Sequence, residues 1–193
     1  METEIRKAEY QDSAAVAALL LLAMEEIVYE FLGKKDKEAA FNFMHDLVRA
    51  ENNQYSFHNV YVAIREGEIA GAVNIYDGAL LAELRKPVAE YVTARTRKLF
   101  QPEDETEAGE FYMDSIGVDP KCQGQGIGRS LLQYLVSEYV EKRGLTLGLL
   151  VEKANPSARR LYEKVGFRKT GEKTLAGKEM DHLQIVPGFS PGR

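Results

Sequence analysis

Three glycines, Gly124, Gly126 and Gly128, alternate just after an apolar stretch that ends Val118-Asp119-Pro120. Glycine has no Cβ, so a ligand can lie directly on its backbone. Where such a turn becomes a helix, the first N–H groups have no intrahelical partner and the helix dipole is positive. Gln123, Gly124, Gln125, Gly126, Ile127, Gly128, Arg129 and Ser130 therefore form a candidate anion site, with Arg129 adding charge. The ligand implied is a phosphate or pyrophosphate. The dinucleotide fingerprint G-x-G-x-x-G fails because Arg129 replaces its third glycine, and no Gly-Lys-Ser/Thr completes a Walker loop.

Just upstream, a strand read over 110–118 carries two carboxylates. Strict alternation places Glu110, Tyr112, Asp114, Ile116 and Val118 on one face. Carboxylates there can attract an ammonium and pass its proton to water. The load on such a base is modest. An amine of pKa near 10.4 is neutral about once in 2,500 molecules at pH 7, a cost of roughly 4.6 kcal/mol. Desolvation in an apolar cleft reduces that cost further.

Gln123-x-x-Gly126-x-Gly128 after its strand resembles the acetyl-coenzyme A signature of the GNAT superfamily of N-acetyltransferases. The stretch from Val151 through Asn155-Pro156, Leu161-Tyr162 and Gly166-Phe167 is similar to that superfamily's strand, asparagine and tyrosine-bearing helix. The likeness is specific from about residue 110 to 167. It implies that the backbone of Ile116 and Val118 pairs with the pantetheine arm like an added strand. It also implies an N–H near Ile116 facing the thioester oxygen. Asn155 would bond the pantetheine, cap its helix, or both. Tyr162 would protonate the leaving thiolate, since a phenol near pKa 10 is protonated at neutral pH. The other reading of Tyr162 is a tyrosine packed at helical spacing with Ala158 and Val165. The chain departs from the family at the base. Tyr112 and Leu150 stand where members carry catalytic glutamates, so the role falls to Glu110 and Asp114, on either side of Tyr112.

The activity implied is direct transfer of an acetyl group from acetyl-CoA to a primary amine, either a small cationic amine or a peptide amine, without a metal. The alternative is a domain of the same fold that binds or senses acyl-CoA without catalysis.

These residues need an α/β (α+β) frame, a mixed and mostly antiparallel central sheet flanked by helices. The pattern places strands at 4–9, 60–65, 68–76, 110–118, 145–151, 167–172 and 180–186. Helices are expected from Asp12 or Ser13 to about Phe31, after Asp36, over 126–142, and from Pro156 to Gly166. All of residues 1–193 read as one domain, with an insertion at about 77–109. The insertion predicts one helix kinked at Pro87, or two short ones, then an acidic loop. Glu103, Asp104, Glu105 and Glu107 in that loop read as a device for attracting a cation. The competing use is a solvated loop beside a helix that makes a homodimer contact.

Composition bounds the partners. Hydrophobic residues at 45% and charged residues at 28% are ordinary for a globular protein. The net charge of −5 argues against nucleic acid and suits a cationic substrate, or serves solubility alone. One cysteine, Cys122, and the scattered His45, His58 and His182 have no metal-ligand spacing. The apolar run from Ala14 to Met24 is shorter than the about 20 residues that cross a bilayer. No basic segment precedes it as in a signal peptide, so the expected location is cytoplasmic and off the membrane.

Overall fold

The computed structural model describes residues 3–188. Its strands are β1 (Glu4–Lys7), β2 (Val60–Arg65), β3 (Glu68–Asp77), β4 (Phe111–Val118), β5 (Leu147–Glu152), β6 (Arg168–Leu175) and β7 (Lys178–Ile185). They form one sheet in the order β1-β2-β3-β4-β5-β7-β6, antiparallel throughout except for the β4–β5 pair. The helices are α1 (Ser13–Leu32), α2 (Lys37–Arg49), α3 (Leu81–Thr96), α4 (Ile127–Leu135) and α5 (Pro156–Val165). The expected mixed, mostly antiparallel sheet flanked by helices is the fold observed.

Alternation in the strands divides the core into two layers. Val60, Val62 and Ala72 face α1, α2 and the Val88–Val92 side of α3. Tyr61, Ala63, Val73 and Ile75 face α4, which presents Ile127, Leu131, Leu132 and Leu135. Local chemistry sets the ends of the elements. Asp36 accepts the Ala39 N–H at the start of α2, and Gly33 ends α1 at φ 68°. Glu66 and Gly67, both at positive φ, make the tight β2–β3 turn. The helix read as continuous over 126–142 widens after Leu135 into a π turn over Val136–Glu141. That turn lets the consecutive residues Tyr139 and Val140 both reach the core.

Two departures from the sequence reading shape the site. Asn74 pairs with Ser115 and Ile75 with Met113, so Asp114 is the extra residue of a β-bulge. The bulge breaks the alternation. Tyr112 packs with Tyr76 and Leu81 on one face, while Ile116 and Val118 join the α4 layer on the other. The single face assigned to Glu110, Tyr112, Asp114, Ile116 and Val118 is thus corrected.

The second departure is in the loop of the insertion, whose helical part takes the first of the two expected forms. The insertion forms a single helix, α3, that contains Pro87, followed by a loop pinned to the domain. Arg85 pairs with Asp104 at 2.6 Å and with the buried Glu105. Glu105 also accepts hydrogen bonds from Tyr76 Oη at 2.8 Å and Gln54 Nε2 at 3.2 Å. The four loop carboxylates are therefore not a free acidic arm, because two of them neutralise Arg85. No helix among the described residues is long and apolar enough to cross a membrane.

Candidate active site

β4 and β5 pair only at Phe111–Leu147, Tyr112–Gly148 and Met113–Leu149. Beyond Met113 the strands part, and the separation begins at the Asp114 bulge. A cleft of about 530 Å³ opens between them. Ile116 and Val118 line it on a stretch of β4 that has no strand partner on the β5 side. An extended ligand can add there as a strand would.

The glycine turn closes one end of the cleft, with Gln123 and Gly128 on its wall. Gly124 and Gly126 have φ 74° and 85°, and a Cβ added to either would meet nothing within 4 Å. The left-handed backbone suits glycine at both positions, and the open space leaves the backbone of the turn accessible to a ligand. Gly126 caps α4 without a side chain, and the first internal bond of the helix runs from Ser130 N to Gly126 O at 2.9 Å. The N–H groups of Ile127, Gly128 and Arg129 thus lack partners within the helix. The side chain of Ile127 is buried in the core, so only its backbone is available to a ligand. Gln125 Nε2 donates to Lys121 O and Ser130 Oγ to Gly126 O, which tightens the turn. Arg129 is exposed beside them. The cradle fits the pyrophosphate of a nucleotide thioester.

Gly126→Glu puts a strained side chain and a like charge into this cradle. We expect acetyl-CoA binding by calorimetry to weaken at least about 100-fold while the fold survives, since the added Cβ meets no neighbour. Undiminished affinity in the folded variant would remove the turn from the binding site.

α5 forms the opposite wall of the cleft. Asn155 Oδ1 caps that helix by accepting Ala158 N–H at 3.1 Å, and its residue also lines the cleft. Capping leaves the amide nitrogen of Asn155 available to a ligand. Tyr162 lies in the cleft wall at 8% exposure, edge-on to Phe167 with ring centroids 6.0 Å apart. Burial pushes its phenol up to about 12, and its hydroxyl makes no hydrogen bond among the described residues.

The four proposed catalytic positions separate by environment. Asp114 faces the cleft, and its Oδ2 is buried without a hydrogen-bond partner, as is the adjacent Ser115 Oγ. Burial pushes the Asp114 carboxyl up to about 6, against the opposing pull of Arg85. Tyr112 is also buried at the cleft, and burial with the Asp114 charge holds its phenol far above neutrality. A phenol that stays protonated is no base.

Glu110 lies elsewhere. Its carboxylate rests against Gly148, where an added Cβ would come within 1.7 Å. It accepts hydrogen bonds from Thr106 at 2.7 Å and Gln184 at 2.7 Å, and contacts His182 Nε2 at 2.8 Å. Burial pushes this carboxyl up, but the bonds from His182, Gln184 and Thr106 outweigh burial and hold it below the usual range. Glu110 is an anchor that ties the insertion to β5 and β7, and the reading of it as a base at the cleft is withdrawn.

Residues outside the sequence reading complete the site. Met24 and Ile27 of α1 reach the cleft, and Met24 breaks the helical path with φ −133°. Gln54, Tyr55 and Arg85 gather near Asp114 around an inner chamber. The one available signal was the charge complementarity of Arg85 to the acidic loop. Among the described residues there is no cluster of three or more His, Cys, Asp or Glu that could hold a metal.

The fold is close to that of known acetyltransferases. A crystal structure of an N-acetyltransferase from Staphylococcus aureus Mu50 superposes with a TM-score of 0.81 at 20% identity, covering 94% of this chain and all of that one. A second acetyltransferase crystal structure gives 0.77 at 28% identity over 95% of this chain and 98% of its own. The [ribosomal protein bS18]-alanine N-acetyltransferase of Escherichia coli K12 is 50% identical over 79 residues, which is 38% of this chain and 53% of that protein. The mycothiol acetyltransferase of Rhodococcus erythropolis is 43% identical over 72 residues, 36% of this chain and 23% of that protein. The matched region spans about half the length of the first of these relatives and about a quarter of the second. The model of the acetyltransferase (GNAT) family matches residues 21–167, roughly three quarters of the sequence, and the chain belongs to that family.

Proposed function

We propose that this protein transfers an acetyl group from acetyl-CoA to a primary amine by direct attack within the β4–β5 cleft. The observation that carries the reading is the convergence on one cleft of the anion cradle, the open edge of β4, Tyr162 and an unpartnered buried carboxylate, Asp114. When bound, acetyl-CoA supplies an activated thioester whose nucleotide end the glycine turn holds. The free edge at Ile116 and Val118 aligns the extended arm. Asp114 attracts the incoming ammonium, which gives one proton to water. Asp114 takes the second proton as attack on the thioester carbonyl makes the nitrogen cationic and acidic. A backbone N–H near Ile116 donates to the carbonyl oxygen as charge gathers there. Tyr162 donates to the departing sulfur.

Magnitude decides how Tyr162 acts. Its phenol is pushed up to about 12, whereas an ordinary thiol titrates near 8.5. Complete proton transfer is then uphill by roughly 5 kcal/mol. Tyr162 therefore contributes a hydrogen bond that strengthens as charge builds on sulfur, and solvent finishes the protonation.

The substrates of the relatives are a ribosomal-protein alanine and, in the other case, the mycothiol system that its name states. The reading is tested by incubating the protein with acetyl-CoA and amines and following free thiol. Binding of acetyl-CoA without thiol release for any amine would identify a sensor instead.

A further inference from the structure

Behind Asp114 the cleft continues into a chamber. The two share Met24, Ile27, Asp114 and Leu175 in their walls. The chamber in turn shares Phe31, Phe100, Pro102, Glu103 and Ala176 with a groove on the outer surface. Asp114 thus stands in the wall common to cleft and chamber, and the far wall of the chamber is common to the outer groove. Phe31 and Phe100 stand edge to face in that far wall, with centroids 4.6 Å apart. The insertion supplies Arg85, Val88 and the 100–105 segment of the chamber wall.

Most polar groups around the chamber are already committed. Arg85 is spent on Asp104, Glu105 and the carbonyls of Pro102 and Glu103. Glu105 is spent on Arg85, Tyr76 and Gln54. Glu103 is exposed at the mouth and accepts Ala176 N–H at 3.2 Å. Asp114 Oδ2 is the buried carboxylate oxygen left without a partner, and Met24, Ile27, Phe31, Val88 and Phe100 surround the space beyond it. A second ammonium deep inside would sit among these apolar side chains, and it would meet a counter-charge only at the mouth, at Glu103. The chamber holds about 70 Å³, roughly half of a cavity of about 150 Å³ that takes one benzene, which is room for roughly three to four heavy atoms.

We propose that the acceptor is a compact primary monoamine whose apolar body, of about three to four heavy atoms, fills this chamber while its nitrogen meets Asp114. This rests on the acetyl transfer proposed above. A polyamine would bring unpaired charge into the apolar part of the chamber. A peptide would have to thread its polar backbone between Phe31 and Phe100. These two rings are the specificity-determining residues, because they close the chamber at the length of a short amine.

The test measures thiol release from acetyl-CoA with propylamine, isobutylamine, spermidine and a pentapeptide with N-terminal alanine. The expected kcat/KM for the two monoamines exceeds that for spermidine and the peptide by at least about 10-fold. Phe100→Ala should open the chamber and raise the ratio of kcat/KM for benzylamine over isobutylamine by about 10-fold or more. Phe31→Ala should do the same, and serves if the first variant fails to fold. Turnover that favours spermidine or the peptide, or a ratio unmoved in folded variants, overturns this proposal and leaves acetyl transfer standing. Absence of turnover with every amine, alongside tight acetyl-CoA binding, would instead overturn the transfer itself.

Discussion

Replacing Asp114 by asparagine is expected to lower kcat/KM for the amine by about 10²- to 10³-fold at pH 8, the contribution of a positioned general base. The substitution keeps the shape of the side chain and removes its charge and basicity. With the carboxyl at about 6 in the folded protein, the parent profile should break near pH 6, and the break should vanish in Asp114→Asn. Stability should move in the opposite sense. The folded-state value lies above the unfolded one, so the stabilising proton is fully held below the unfolded value of 3.8 and is lost as pH rises through about 6. At pH 8 the parent carries a buried, unpaired carboxylate. Asp114→Asn should therefore raise Tm, and by more at pH 8 than at pH 4. A more stable but slower enzyme is the signature of a residue kept strained for function. An asparagine variant with parental kcat/KM and an unchanged break at pH 6 would remove Asp114 from the mechanism.

Tyr162→Phe should lower kcat by about 10²-fold, the worth of one preorganised donor to developing charge. Its effect should divide differently from that of Asp114→Asn. The acetyl-CoA KM should stay near the parent's, because the ring and its packing on Phe167 remain. The break near pH 6 should also remain, because it belongs to Asp114. Single-turnover measurements separate chemistry from product release. A chemical step within about a factor of two of the parent would return Tyr162 to the reading of a packed side chain.

Local chemistry made much of this site legible in the sequence. The positive φ values of Gly124 and Gly126, the Asn155 cap and the Pro156 start of α5 are all consequences of residue type at a given spacing. The burial of Leu147, Leu149 and Val151 likewise follows from the apolar run of a central strand. The bulge was not legible, because nothing in Met113-Asp114-Ser115 marks one residue as extra, and register emerges only from pairing with β3. That single residue separates Asp114 from the alternation that grouped it with Glu110. Two of the three partners of Glu110, His182 and Gln184, come from 72 and 74 residues away in sequence, beyond the reach of any local pattern. The insertion was recognised as an interruption, but its acidic loop reads as solvated until Arg85 is seen folded beneath it.

The central claim is that one cleft holds a thioester against an amine whose proton passes to Asp114. It is met most directly by following free thiol and acetylated amine together, by mass spectrometry, over the pH range 5 to 9, for the parent and for Asp114→Asn. The account predicts equal molar yields of the two products in the parent, with a break in rate near pH 6, and slow, break-free turnover in the variant. Thiol release without acetylated amine, or equal rates in the two proteins across that range, would contradict it.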